Sequence, residues 1–204
     1  MRIIVVGASS GTGRQVMEQG IARGHEMVAV SRSGTDFAGA RNITGDAADA
    51  SVVADAVGSG ADAVVLAIGG SNGTDTNRST VTRAVLSALP GGAVGRMIVH
   101  SSLGVGDSMR FLPLPAQLFT RSVLKKAIAD HDAQEGLVRA SGLGWTIVRP
   151  GGLTDKPATG RIAALEEPAK FAAIIARADV AAFILDAVEN PGTLGRTYAL
   201  GTPA

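Results

Sequence analysis

The chain has 204 residues, of which 46% are hydrophobic and 18% are charged, and its formal net charge is +1. This size suits one domain with a full core, and the small charge excludes bulk electrostatic attraction to nucleic acid or membranes. There is no cysteine, which excludes disulfides and thiolate chemistry. No apolar run is long enough to span a membrane, and the first is too short for a signal peptide. We therefore expect a soluble, cytoplasmic monomer or homodimer.

The first 33 residues read as strand, glycine turn, helix and strand. An apolar run, Ile3–Val6, ends at Gly7, and a second apolar run follows at Met27–Val30. Gly7 allows a tight turn, and Gly11, or Ser10 beside it, allows main-chain N–H groups to approach a pyrophosphate. Gly13 lies on the helix face that packs against the sheet. The pattern predicts a βαβ unit whose helix N-terminus binds a nucleotide.

The end of the second strand indicates which nucleotide is bound. Folds that prefer NAD place an acidic residue there to hold the ribose hydroxyls, whereas this chain has Ser31, Arg32 and Ser33 and no acid until Asp36. Because a guanidinium suits a phosphate, we expect NADP(H) to be favoured over NAD(H). The alternative is that Arg32 is a solvated loop residue.

Strand and helix patterns alternate along the rest of the chain. The predicted strands are 42–44, 61–68, 96–100, 145–149, one near 170–175, and 197–200. The predicted helices are 49–57, about 74–88, 116–140 and 180–188. Asp49 and Asp179 are the predicted N-caps of the first and last of these, and Pro90, Gly91 and Gly92 end the helix over 74–88. These predict an α/β fold with a single Rossmann-type, doubly wound parallel sheet and helices on both faces. The ligand crevice then lies across the carboxyl ends of the strands.

Several segments resemble a known family. These are GASSGTGRQV, RGHEMVAVSRS, GD at 45–46, SGLGWTIVRPGGLTD at 141–155 and ARADVAAFILDAV at 176–188. Together they resemble the atypical, NAD(P)-binding short-chain dehydrogenases, especially the branch with flavin/biliverdin reductase and NmrA-like proteins. The resemblance covers nearly the whole chain. It implies one NAD(P)-binding Rossmann domain over 1–204, with a small substrate-side region from about 150 to 178.

The resemblance also implies roles for individual residues. The pyrophosphate would be held by Gly7, Ser9, Ser10, Thr12 and Gly13, and the 2′-phosphate by Arg32. The adenosine side and the ribose next to the nicotinamide would be bordered by Asp46, Ala47, Ala67, Ile68 and Gly69. The nicotinamide would be contacted by Ser101 and Ser102, and its carboxamide face covered by Pro150, Gly151, Gly152 and Leu153. One departure is Ser10, where many relatives have glycine.

The catalytic Tyr–Lys pair of typical short-chain dehydrogenases is absent. The single tyrosine, Tyr198, has no lysine four residues later. On the predicted 116–140 helix, His131 lies on the apolar face with Glu135 one turn on. This pair is either a catalytic or ribose-holding group with its orienting partner, or a core histidine satisfied locally. Ser101 and Ser102 are candidates to polarise an acceptor. Alternatively, their hydroxyls simply form hydrogen bonds with the loop backbone.

Three further positions have structural interpretations. His25 and His100 look structural, and the scattered histidines predict no metal site. Arg149 is expected to anchor a loop. The apolar segment 111–119 is a lid over a flat acceptor, part of the core, or a dimer contact.

Two functions from different classes follow. The first is an NADPH-dependent reductase that passes hydride to a flat conjugated small molecule such as a flavin, a quinone or a tetrapyrrole. The reduced acceptor then takes its proton from the solvent. The second is a non-catalytic, NmrA-like redox sensor that controls a protein partner. A sugar-nucleotide epimerase is weaker, because it needs the Tyr–Lys pair and a larger C-terminal region.

Overall fold

The computed structural model describes residues 1–58, 60–69, 77–89, 93–167 and 169–204. Two predicted features lie outside these ranges: the helix start at 74–76 and the helix stop at 90–92. In the described part of the chain, no helix is both long and apolar enough to cross a bilayer.

Eleven strands are found among the described residues. They are β1 (Arg2–Val6), β2 (Glu26–Ser31), β3 (Arg41–Thr44), β4 (Ala61–Leu66), β5 (Val94–His100), β6 (Gly144–Pro150), β7 (Gly152–Thr154), β8 (Ala163–Leu165), β9 (Phe171–Ala172), β10 (Ile174–Ala176) and β11 (Arg196–Pro203). The main sheet has the order β3-β2-β1-β4-β5-β6-β11-β8, with β9 also paired to β11. From β3 to β11 along this path every pairing is parallel. This confirms the predicted doubly wound fold.

The helices lie on both faces of this sheet. They are α1 (Gly11–Ala22), α2 (Ala50–Val57), α3 (Arg78–Ala88), α4 (Leu114–Ser122), α5 (Lys125–Arg139) and α6 (Arg177–Glu189). Alternate residues of β1 divide the core: Ile3 and Val5 pack in one cluster with Met17 and Ile184, while Ile4 packs in the other with Val85. Because neighbouring side chains of a strand point to opposite faces, α1 and α6 cover one face and α2 and α3 the other.

The prediction of one helix over 116–140 is wrong. The chain forms two helices, α4 and α5, separated at Val123 and Leu124, and Leu124 has φ −97° and ψ 8°. The Ser122 hydroxyl donates hydrogen bonds back to the carbonyls of Leu118 and Phe119. Such back-bonding competes with the helical ladder, and it occurs where α4 ends.

The predicted N-cap role of Asp179 is also wrong. The helix α6 begins earlier, at Arg177, with Ala176 in the N-cap position. The buried Asp179 carboxylate instead accepts hydrogen bonds from the N–H groups of Thr159 and Gly160 and from the Thr159 hydroxyl. Asp179 therefore ties the irregular 155–162 loop to the first turn of α6.

Candidate functional site

A crevice of about 910 Å³ lies along the carboxyl ends of the central strands. Its lining begins at the loop after β1 and continues past the ends of β2, β4, β5 and β6 to α5 and the start of α6. This is the edge at which a doubly wound sheet binds its ligand. The crevice therefore lies where the glycine pattern predicts it.

The turn after β1 is shaped by Gly7. Its φ of +89° lies in the region that favours glycine, and a Cβ there would overlap the carbonyl of Ala67. The Gly7 N–H donates to Val30 O at 3.0 Å, which binds the turn to β2. Gly13 does not line the crevice, and a Cβ on it would overlap the carbonyl of Gly7. Gly13 thus lets α1 pack close to the turn, as its helix position predicts.

The N-terminus of α1 opens into the crevice without a side-chain cap. Ser10, the N-cap residue, has φ −154°, an extended conformation that needs no glycine, and its hydroxyl makes no capping bond. The first turn carries no acidic residue. Thr12 is only 5% exposed, and its hydroxyl has no hydrogen-bond partner among the described residues. Free amides and a positive helix end favour an anion here.

The end of β2 presents a serine and an arginine to the same crevice. Ser31 is buried, and its hydroxyl has no partner within the described ranges. Arg32 is exposed and lines the crevice, whereas Asp36 does not. Across the loop, Asp46 lines the crevice with Ala47 and accepts the Ala48 N–H at 2.9 Å.

A buried ionic network lies behind the ends of β5 and β6. Glu135 is fully buried and accepts the Ser101 hydroxyl at 2.6 Å and Arg149 through Nε at 2.9 Å and Nη2 at 2.7 Å. Arg139 Nη2 lies 3.0 Å from the same carboxylate. Glu135 is therefore not the orienting partner of His131, because its oxygens are occupied from the other side.

Arg149 anchors the loop after β5, as predicted. Its Nη1 donates to Asp107 Oδ1 at 2.7 Å, and this hydrogen bond from Arg149 lowers the pKa of Asp107. Ser102 donates to the carbonyl of Leu103 at 3.2 Å. The network fixes both serines at the crevice edge.

Two histidines face each other across this end of the crevice. His131 on α5 is buried, and its Nδ1 has no hydrogen-bond partner in the described chain. Burial lowers its pKa to about 3, helped by the nearby Arg78 and His100. His100 also lines the crevice, and burial lowers its pKa to about 4. Both imidazoles are therefore neutral near pH 7.

Asp130 organises the wall opposite, at the start of α3. Its carboxylate accepts the N–H groups of Arg78 at 2.9 Å and Ser79 at 3.1 Å, as well as the Ser79 hydroxyl. Burial raises the pKa of Asp130, but these hydrogen bonds and the charge of Arg78 outweigh burial and lower it. A residue of α5 thus caps α3 and places Asn77 and Arg78 in the crevice wall.

Most of the predicted site residues meet in this one crevice. They are Gly7, Ser9, Ser10, Gly11, Thr12, Ser31, Arg32, Asp46, Ala47, Ala67, Ile68, Gly69, Ser101, Ser102, His131, Pro150, Gly151 and Leu153. Gly152 does not line it and pairs instead with Ile174 in the small β7–β10 sheet. Tyr198 does not line it either and packs edge-on against Phe183.

Sequence reasoning missed several lining residues, among them Asn77, Arg78, His100, Leu124, Ile128 and Arg177. His100 ends a central strand, and that position alone was a signal for the crevice. Arg177 opens the RADVA motif, to which no role was given. Asn77 and Arg78 are placed in the crevice wall by the cap from Asp130, which is distant in the sequence. No local sequence pattern therefore indicated these two residues.

The apolar 111–119 segment is not core. Leu114 is 80% exposed and Leu118 is 71% exposed on the outer face of α4. No group of three or more metal-ligating side chains is found among the described residues.

The lining of the crevice fits a long polar ligand. Among the buried polar atoms without a partner in the described chain, Gln134 Oε1 lies away from the crevice, and five others belong to residues that line it: Thr12 Oγ1, Ser31 Oγ, Asn77 Oδ1, His100 Nε2 and His131 Nδ1. Buried polar atoms are normally hydrogen-bonded, so their spread from one end to the other calls for a ligand with polar groups along its length. A dinucleotide is such a ligand.

Comparison with known proteins identifies the family. Residues 7–191 match the NAD(P)H-binding domain family, and the chain belongs to it. The resemblance to the atypical, NAD(P)-binding short-chain dehydrogenases is thereby confirmed. The family binds a nicotinamide cofactor, which suits the turn after β1 and the unpartnered polar atoms of the crevice.

Three similar proteins extend this result. ChuY from Escherichia coli O157:H7, described as an anaerobillin reductase, is 30% identical, with a TM-score of 0.82 and coverage of 100% of this chain and 98% of that one. The uncharacterized chloroplastic protein At2g34460 of Arabidopsis thaliana is 29% identical over 203 residues, covering 92% of this chain and 71% of the plant protein. A short-chain dehydrogenase/reductase from Veillonella parvula DSM 2008, solved in complex with NADP, is 17% identical. It has a TM-score of 0.82, covers 100% of this chain and 95% of that one, and shares the fold.

Proposed function

We propose that this protein is an NADPH-dependent reductase of a flat conjugated small molecule, a flavin, quinone or tetrapyrrole, with a linear tetrapyrrole first among them. The similarity to ChuY over the whole chain supports a reductase and favours a tetrapyrrole acceptor. When bound, the nicotinamide supplies hydride from C4. The cytoplasmic location and the monomeric or homodimeric state stay predictions.

The observation that carries the proposal is that no described residue at the nicotinamide end of the crevice is suited to act as a general acid near pH 7. His100 and His131 have lowered pKa values of about 4 and about 3. The Ser101 proton is donated to Glu135, and Tyr198 lies elsewhere. General acid catalysis works best with a pKa near the working pH. An acceptor that delocalises the added electron pair and takes its proton from water has no need of such a group.

Each part of the crevice then has a task. The amides of 10–12 at the start of α1 hold the diphosphate, while Gly13, which was predicted to share this role, lies outside the crevice lining and packs α1 against the turn. Arg32 with Ser31 holds the 2′-phosphate. Asp46 and Ala47 border the adenine, and Ala67, Ile68 and Gly69 border the adjoining riboses. Neutral His131 hydrogen-bonds the ribose next to the nicotinamide, and its Nδ1 is free to accept. Pro150, Gly151 and Leu153 cover the carboxamide face. Gly152, which was predicted to share this role, instead pairs with Ile174 and joins β7 to β10.

The test is steady-state loss of NADPH absorbance with a free flavin, a quinone and biliverdin as separate acceptors. We expect turnover above the enzyme-free rate with at least one of them. Tight NADPH binding without turnover on any acceptor would overturn the proposal. If the protein then also distinguished NADP⁺ from NADPH in calorimetry, the redox-sensor alternative would stand in its place.

A further inference from the structure

The small β7–β10 sheet places an ion pair at the edge of the crevice. In its parallel register Ala176 lies opposite Thr154, and the next residues on the two segments are Arg177 and Asp155. Arg177 Nη1 donates to Asp155 Oδ1 at 2.8 Å. Arg177 is also the first residue of α6, and it lines the crevice.

The Arg177 guanidinium lies over the start of α1. Its Nε is 3.5 Å from the position that a Cβ on Gly11 would take. The contacts of Gln19 with Ala178 and of Arg23 with Asp186 show that α1 and α6 run side by side in the same direction. The first residues of both helices, Gly11 and Arg177, line the crevice. Within the described residues, Asp155 is the one acceptor that the Arg177 side chain has, so Nε and Nη2 remain free to donate.

The Arg177–Asp155 pair is not needed to hold α6 in place. Asp155 is 86% exposed and Arg177 is 28% exposed, and exposed pairs contribute little to stability. The loop is tied to α6 by the buried Asp179 instead. A charged side chain placed over free helical amides, with donors to spare, suits an anionic ligand.

We propose that Arg177 binds the diphosphate of the nicotinamide cofactor from the side opposite the α1 amides. The unpartnered, buried Thr12 hydroxyl at the same helix start independently indicates a ligand there. Arg177 thus adds a positive charge to a turn whose other contacts are neutral amides. This inference deepens the proposed function and rests on the cofactor binding within it, but not on the acceptor.

A carboxylate of the acceptor is the other anion that Arg177 could meet. Its position beside Gly11, at the phosphate turn, favours the diphosphate. The two are separable, because the diphosphate occurs in both NADPH and NADH, whereas an acceptor carboxylate affects turnover alone.

The experiment measures the Kd of NADPH and of NADH by calorimetry for the wild-type protein and for Arg177→Gln, Arg177→Lys and Arg161→Gln. We expect Arg177→Gln to weaken both cofactors equally, by about 10- to 100-fold, the scale of a charge-assisted hydrogen bond. Arg177→Lys should lie between wild type and Arg177→Gln, because it keeps the charge but loses the planar fork. Arg161 is exposed on the neighbouring loop and does not line the crevice, so Arg161→Gln is the matched control and should change neither Kd.

Two outcomes would overturn the inference. The first is an unchanged Kd for both cofactors in Arg177→Gln; the second is an unchanged Kd with a raised KM for the acceptor, which would assign Arg177 to the acceptor instead. Thermal melting of each variant without cofactor checks that the fold is intact. Failure of the proposed reductase activity is a separate result, since the two Kd values are measured without any acceptor.

Discussion

At the residue scale, the proposed preference for NADPH over NADH rests on two neighbouring side chains. Ser31 is buried with a hydroxyl that has no partner among the residues described, and Arg32 is exposed beside it on the crevice edge. A guanidinium at this place favours a 2′-phosphate over a bare ribose hydroxyl.

Replacing Arg32 tests that assignment. We expect Arg32→Ala to weaken NADPH binding by about 1.5–3 kcal/mol, the contribution of a charge-assisted hydrogen bond, and to leave NADH nearly unchanged. Calorimetry with each cofactor measures the difference, with NADH as the internal control. Equal losses for NADPH and NADH would show that Arg32 does not contact the 2′-phosphate.

His131 makes the stability depend on pH in a defined window. Its pKa is about 3 in the folded protein against an ordinary value of 6.5, so between these values the unfolded chain binds a proton that the native state does not. Stability is therefore full above about pH 6.5 and falls as the pH drops towards 3, by up to about 1.4 kcal/mol per pH unit for this histidine. The free energy of unfolding in urea is measured for wild type and His131→Asn from about pH 7.5, above the window, to about pH 4.5, inside it. It should depend less steeply on pH in the variant. Identical slopes would contradict the burial of a neutral imidazole.

Local motifs predict some site residues and not others. Gly7 and Thr12 follow from the turn after β1, since their roles depend on neighbours within the same βαβ unit. Arg177 is placed at that turn by the register in which its neighbour Ala176 pairs with Thr154, more than twenty positions earlier in the chain. No local pattern contains that information.

At the element scale, the buried network around Glu135 fixes the end of β5 and the loop that follows. It joins α5 to β5 through Ser101, to β6 through Arg149, and through Arg149 to Asp107. Because Glu135 is fully buried, its loss leaves a buried guanidinium without its main partner.

Glu135→Ala should therefore destabilise the fold by about 3–5 kcal/mol, the usual result of breaking a buried ion pair by removing one side. The matched control is Asp55→Ala, which removes the exposed Arg41–Asp55 pair on the surface and should cost less than about 1 kcal/mol. Urea unfolding of both variants measures the two values. Similar small losses would mean that the network is not needed for stability.

Helix boundaries show where sequence periodicity stops being informative. The apolar spacing of 116–140 is continuous, so it predicts one helix, but the Ser122 hydroxyl bonds to the carbonyls behind it and α5 begins anew at Lys125. Asp179 looks like an N-cap because it precedes an apolar run. Its carboxylate instead accepts hydrogen bonds from the loop at Thr159 and Gly160, and the helix begins two residues earlier, at Arg177.

At the scale of the whole molecule, the order of the strands explains why one crevice collects the site. The path β3-β2-β1-β4-β5-β6 places the ends of β1 and β4 next to each other at its centre, where the connections leave in opposite directions. The alternation of apolar runs with glycine turns was sufficient to predict a doubly wound parallel sheet, but it did not give this strand order. The contribution of the start of α3 was not predictable, because it depends on the cap that Asp130 of α5 provides across two helices.

The central claim is that the turn after β1 and the start of α1 hold the diphosphate of a nicotinamide cofactor. The most direct measurement is a crystal structure of the protein soaked with NADPH. The account predicts diphosphate density against the amides of Ser10, Gly11 and Thr12, with the 2′-phosphate at Arg32. Density for the cofactor in another place, or an empty turn at millimolar NADPH, would contradict it.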